Sequence, residues 1–237
     1  MCYEKDMSTL IIKNTRSHSS GSLEAYLEEN NIDHTIVYAA QGEAIPPTDN
    51  YDNIVLMGGP MSANQTEKYP FINKEIQIVQ QYAGKEKKIL GLCLGSQIIA
   101  KALGAEIYQG KEKEVGWYDI ALLPPAYQHS KIKKLIKNPD TKEINRNIKV
   151  FHWHNDGFTL PPGCELCGTS SIYKNQFFSF GPNIIAMQFH LEITLEMIEE
   201  WMQQSSRDPQ TIMNDSKKYL ELNIKRARRF YQSFFIS

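Results

Sequence analysis

Short apolar runs alternate with amphipathic stretches along the first half of the chain. Thr9-Leu10-Ile11-Ile12, Thr35-Ile36-Val37-Tyr38, Ile54-Val55-Leu56-Met57 and Ile89-Leu90-Gly91-Leu92 are continuous and mostly aliphatic, the pattern of buried strands. Between them, Ser22–Asn30 carries Leu23, Tyr26 and Leu27 at helical spacing, and Tyr69–Tyr82 carries Ile72, Ile76 and Val79 on one face. Ser96–Leu103 reads as a short helix stopped by Gly104. The alternation predicts βαβ units, hence a mostly parallel central sheet flanked by helices on both faces.

Further strands are predicted at Tyr118–Leu122, Lys149–Phe151, Phe177–Phe180 and Ile184–Phe189, and Thr194 is placed to cap a helix through Trp201. Lys131–Arg146, rich in Lys and Asn, reads as a surface helix plus loop. Leu220, Ile224, Ala227, Tyr231 and Phe234 share one helical face near the end of the chain. They predict a helix docked on its own domain, with Lys225, Arg226, Arg228 and Arg229 on a solvated side. No repeat or low-complexity linker divides the chain. Residues 1–237 are therefore expected to form a single α/β domain, with a motif-bearing core over about 9–203 and a C-terminal helical extension over 204–237.

Composition narrows the class. The 237 residues suffice for a sizeable core. With 26 Lys plus Arg against 27 Asp plus Glu, the net charge of −1 gives no reason to expect nucleic acid or an anionic membrane as partner. Twelve Tyr, ten Phe and three Trp argue against disorder. The start of the chain is polar, and no apolar run approaches the ~20 residues a membrane span needs. Four scattered cysteines do not make a disulfide scaffold. The expectation is a soluble cytoplasmic protein.

The chemistry concentrates in three places. Gly91-Leu92-Cys93-Leu94-Gly95 follows a strand and opens a helix, the cysteine form of a nucleophile elbow. Such a turn strains the backbone and projects the side chain outward, and it needs small neighbours. Cys93 would sit at a helix N-terminus, which favours a thiolate, and the Leu94 N–H would point toward a developing oxyanion. On its own, the same turn also suits a small buried cysteine at a strand end. Gly58-Gly59-Pro60-Met61-Ser62 follows the third strand, at the same sheet edge, where a backbone N–H can approach a ligand. Gln188-Phe189-His190-Leu191-Glu192 ends another strand, and residues two apart on a strand share a side, so Glu192 is expected to orient the His190 ring.

Together these segments resemble the class I glutamine amidotransferases, in order and in approximate spacing, over about Thr9–Trp201. Glu114-Val115-Gly116-Trp117 and His152-Trp153-His154-Asn155-Asp156 further resemble the stand-alone, GMP-synthase-like members. The resemblance implies a catalytic triad of Cys93, His190 and Glu192 that hydrolyses the glutamine side-chain amide through a γ-glutamyl thioester. It implies an oxyanion hole from the N–H groups of Gly59 and Leu94. It also implies substrate binding by Gly58, Gln97, His154, Asn155 and Asp156, and no cofactor. Two alternatives stay open: hydrolysis of γ-glutamyl peptides or conjugates, and a regulatory subunit that depends on a separate ammonia-accepting synthetase. Leu191 stands where the family commonly has Pro, and Asn155 where it usually has Gly, which puts substrate preference in question more than chemistry.

Three other features compete for a role. His152, His154 and Asp156 would share a strand face and resemble part of a zinc site, but the remaining histidines supply no further ligand cluster, so no metal is expected. Cys164-Glu165-Leu166-Cys167 lacks two further soft ligands and reads as small buried side chains. Gln176 either lines the site or is structural.

Overall fold

The computed structural model describes residues 8–15, 19–85, 87–203 and 208–236. The polar start with Cys2, His18 and residues 204–207 of the expected extension lie outside them. Nine strands form one sheet in the order β2-β1-β3-β4-β9-β8-β7-β5-β6. β1 (Thr9–Lys13), β2 (His34–Tyr38), β3 (Asn53–Leu56), β4 (Lys88–Leu92) and β9 (Ile184–Met187) run parallel. β8 (Phe177–Phe180), β7 (Glu165–Thr169), β5 (Ile107–Leu122) and β6 (Asn147–Phe158) continue the sheet antiparallel.

The strand alternation sorts the helices. Ile11, Val55, Leu90 and Ile185 face α1 (Gly21–Glu29), α4 (Pro124–Gln128), α5 (Ile132–Ile136) and α7 (Pro209–Phe235) on one side. Leu10, Ile54, Ile89 and Ile184, one residue off, face α2 (Phe71–Tyr82) and α3 (Leu94–Ala102) on the other. The sheet is thus covered on both faces, as a parallel sheet requires. A third apolar cluster joins Val115, Trp117 and Phe151 to α6 (Leu195–Met202) and the start of α7. The Thr194 side chain caps α6 by accepting from the Met197 N–H.

Several boundaries moved. β5 and β6 are far longer than Tyr118–Leu122 and Lys149–Phe151, because each is one arm of an extended antiparallel hairpin with a register shift between Gln109 and Glu114. β7, which holds Cys167, had no strand prediction. Lys131–Arg146 is not all surface: Ile132, Leu135 and Ile136 are fully buried and pack with α7. Arg226 also leaves the expected solvated face. It is buried and donates to Asn145 Oδ1 at 2.9 Å. The docked face of α7 is anchored by Phe230, Tyr231, Phe234 and Phe235, all fully buried. Among the described residues no helix is long and apolar enough to cross a membrane.

Candidate active site

β4 delivers Cys93 to the carboxyl edge of the parallel strands, where open α/β sheets bind ligands. The Cys93 N–H extends the β4–β9 ladder by donating to the Met187 carbonyl at 2.8 Å. The chain then turns abruptly: Cys93 has φ 51° and ψ −108°. A side chain held there costs about 1–3 kcal/mol. Bonds from the backbone N–H of Ser96 (3.0 Å) and Gln97 (3.2 Å) and from Ser96 Oγ (2.6 Å) hold its carbonyl. Small neighbours are compulsory. A Cβ at Gly95 would collide with the Leu56 carbonyl oxygen, and one at Gly91 would lie 2.6 Å from the Gly95 carbonyl oxygen. Leu94 opens α3, so its N–H belongs to the first turn, which has no intrahelical acceptor.

β9 ends at Met187; the chain then bends at Gln188 and Phe189 and turns at Leu191 and Glu192, so it is not continued strand geometry but three neighbouring elements that hold this segment. The His190 N–H donates to the Phe151 carbonyl of β6 at 2.8 Å, and the Ser22 N–H of α1 donates to the Glu192 carbonyl at 2.9 Å. Asn223 Nδ2 of α7 donates to the Leu191 carbonyl at 3.3 Å. Leu191 itself is fully buried in the α7-side core. With the backbone fixed, His190 Nδ1 stands 2.7 Å from Glu192 Oε1, and both side chains are buried. Burial works against a charged His190, but Glu192 and then Cys93 outweigh it, raising its pKa to about 10. The third strand end brings Gly58 against this pair: a Cβ there would lie 3.2 Å from His190 Cε1 and 3.5 Å from Cys93 Cβ.

Cys93 and His190 open into a cavity of about 420 Å³. Gly59, Gln97, His154, Asn155 and Asp156 line it too, whereas Gly58 lies behind it, on a small pocket that His190 and Glu192 share. Gln97 Nε2 reaches Gln188 Oε1 at 3.2 Å and the Asp156 carbonyl at 3.4 Å. Gln188 Nε2 in turn contacts Cys93 Sγ at 3.7 Å, and Sγ lies 3.8 Å from the Trp153 carbonyl oxygen. The sequence alone suggested no role for Gln188 or Trp201, although Gln188 stands two residues before His190 as Glu192 stands two after it.

His154 touches the cavity but is turned toward the protein. Its Nδ1 is 3.0 Å from the Asp156 carbonyl oxygen, which only accepts, so Nδ1 carries a hydrogen. Its Nε2 is 2.8 Å from Glu114 Oε2, so one proton lies between ring and carboxylate. Ser170 Oγ donates to Glu114 Oε1 at 2.6 Å, and Gln176 Nε2 donates to Glu114 Oε2. Gln176 is therefore fully buried in this cluster and does not line the cavity. Burial opposes ionisation of Glu114, but bonds from His152 and His154 hold its pKa below the usual carboxylate range. His152 is buried, which lowers its pKa to about 4, and its Nε2 has no partner among the described residues.

Glu114, His152 and His154 are also the residues best placed to hold a metal, each offering one atom within 4.8 Å of the others. Asp156 does not join them; Glu114, across the hairpin, takes the acidic place. A metal ion there would displace the His154–Glu114 proton, and the carboxylate already accepts from Ser170 and Gln176. The arrangement is that of a hydrogen-bonded brace under the Trp153–Asp156 segment. Tyr173 adds to it, its hydroxyl donating at 2.7 Å to the Asn155 carbonyl. Cys167 is fully buried and Cys164 half-buried; burial pushes their thiols up to about 11 and about 12.

This geometry has counterparts. The family model described as glutamine amidotransferase class-I matches residues 11–205. A glutamine amidotransferase-like protein of Salmonella typhimurium is 34% identical over 176 residues, 73% of this chain and 69% of that one. Gamma-glutamyl peptidase 4 of Arabidopsis thaliana is 24% identical over 189 residues, 78% of this chain and 71% of that one. A crystal structure of a glutamine amidotransferase from Thermotoga maritima superposes with a TM-score of 0.85 at 29% identity, covering 99% of this chain and 100% of that one. With the family match spanning most of the chain, the protein belongs to the class-I glutamine amidotransferases.

Proposed function

We propose that the protein is a cysteine-dependent hydrolase of γ-glutamyl amide bonds, with glutamine as the simplest substrate. The observation that carries this reading is the buried His190–Glu192 bond of 2.7 Å on the cavity that Cys93 enters from its strained turn. Glu192 occupies Nδ1, which leaves Nε2 for the thiol and the substrate. His190, whose raised pKa keeps a proton on its ring, faces Cys93 Sγ as that sulfur attacks the γ-carbonyl carbon. The N–H groups of Gly59 and Leu94 stabilise the oxyanion. His190 then protonates the departing nitrogen as the C–N bond breaks, leaving a γ-glutamyl thioester. Water adds to the thioester and gives a proton to the now neutral His190, the C–S bond breaks, and glutamate leaves with Cys93 and protonated His190 restored.

Gln97, Asn155 and Asp156 bind the amino-acid end of the substrate. His154 acts through the loop it braces, because both its ring nitrogens are engaged with protein. Similarity to an Arabidopsis γ-glutamyl peptidase supports substrates beyond glutamine, since the same attack at the same carbonyl cleaves either bond. The test is glutamate release from glutamine and from γ-glutamyl dipeptides by wild type and Cys93→Ala. Release from at least one substrate, abolished by the substitution, is expected. Equal release by both proteins would rule the reading out.

A further inference from the structure

The cavity lining is mixed: Ser62, Gln65, Lys113 and Asn155 are polar, as is Gln97, bonded to the Asp156 carbonyl. Next to His190 the lining is aromatic. Trp201 stands edge-on to the His190 ring, with centroids 4.7 Å apart at 73°. Trp153 meets Trp201 at 5.6 Å and 78°. Val115 and Trp201 belong to one apolar cluster, with Trp153 packed against it, and all three reach the cavity.

His190 is the group that protonates the departing nitrogen, so whatever that nitrogen carries leaves past Trp201. Ammonia is small and strongly hydrated, and an indole wall offers it nothing. An apolar substituent would gain from the same wall by leaving water and stacking on the rings. The volume of about 420 Å³ lies in the range of pockets that hold drug-sized ligands, more room than a glutamine side chain uses.

We propose that the preferred substrates are γ-glutamyl amides whose amine portion bears an aromatic or large apolar side chain, with Trp201, Trp153 and Val115 forming the leaving-group subsite. The inference rests on the γ-glutamyl hydrolase reading above and adds the substrate class. The balance is that of the same two steps. The C–S bond forms as the C–N bond breaks, the amine departs with the proton from His190, and water frees glutamate while returning a proton to His190.

The test compares kcat/KM of wild type for γ-glutamyl-phenylalanine, γ-glutamyl-glycine and glutamine, with Cys93→Ala as the blank. The phenylalanine compound is expected to exceed the glycine compound by about tenfold or more. Trp201→Leu is expected to shrink that ratio. Because Trp201 also touches His190, the ratio within one preparation is the readout, and any general loss of activity cancels. The wild-type ratio stands even should the variant fail to fold. A ratio near one, a preference for glycine, or glutamine as the best substrate overturns the inference while hydrolysis by Cys93 survives. A large ratio unchanged by Trp201→Leu overturns the assigned subsite. No Cys93-dependent hydrolysis of any of the three compounds overturns the underlying reading together with the inference.

Discussion

Glu192 Oε1 stands 2.7 Å from His190 Nδ1, with both side chains buried and the backbone between them held by β6, α1 and α7. The carboxylate fixes which ring nitrogen faces Cys93. Glu192→Gln keeps the shape but lets the ring adopt the wrong tautomer. A fall in kcat of about 10²–10⁴ is expected, with KM little changed. Steady-state kinetics on the best γ-glutamyl substrate checks this, and an unchanged kcat would remove Glu192 from the mechanism.

The same pair makes stability depend on pH. His190 has a folded-state pKa raised from 6.5 to about 10, so the folded protein holds this proton more tightly than the unfolded chain. The stabilisation is complete below pH 6.5 and is lost as pH rises through about 10. Denaturant unfolding should show wild type losing its advantage over Glu192→Gln across that window. An advantage that grows with pH would contradict the assignment.

Glu75 of α2 is fully buried, and burial pushes its carboxyl up to about 8, a rise that Asn14 opposes. The unfolded chain releases this proton near 4.5, so Glu75 lowers folding stability as pH climbs from 4.5 to about 8. Glu75→Gln abolishes that slope. The variant is expected to gain on wild type steadily through this interval, read as a diverging pair of unfolding free energies. Parallel pH profiles would mean that Glu75 is solvated or paired.

Gly95→Ala places a methyl group against the Leu56 carbonyl oxygen, a backbone atom with nowhere to go. A loss of at least about 3 kcal/mol in stability, or failure to fold, is expected. Retention of the wild-type Tm would show that the α3–β3 contact is looser than described.

The brace under the Trp153–Asp156 segment predicts a split in kinetic constants. Glu114→Gln removes the carboxylate partner of His154 and should raise KM more than it lowers kcat, because the Cys93–His190–Glu192 group is left in place. An equal drop in kcat and kcat/KM, with KM unmoved, would instead tie Glu114 to the chemical step.

The parallel half of the fold was legible because each of its strands is a short aliphatic run and the helices between them keep the 3.6-residue period. The sharp turn at Cys93 was legible for a local reason: glycine on both sides of Cys93 marks a corner. The β5–β6 hairpin was not. Lys111, Glu112 and Lys113 interrupt its apolar pattern, and its pairing spans some forty residues. Glu114 therefore carried no assigned role, since its partners His154, Ser170 and Gln176 become neighbours only when the hairpin closes. Trp201 was readable as a helix residue but not as a cavity wall, because its contact with His190 joins two elements that local pattern does not orient. Arg226 misled for a similar reason: charge predicts solvent, and only the packing of α7 on the α5 side reveals Asn145 waiting for it.

The central claim is that Cys93 is the nucleophile for a γ-glutamyl carbonyl. Labelling with a glutamine-shaped electrophile tests it most directly, with peptide mapping of the adduct and glutamate release followed in the same sample. Modification of Cys93 alone is expected, slowed by substrate and accompanied by loss of activity. Label on Cys2, Cys164 or Cys167 with glutamate release intact would contradict it.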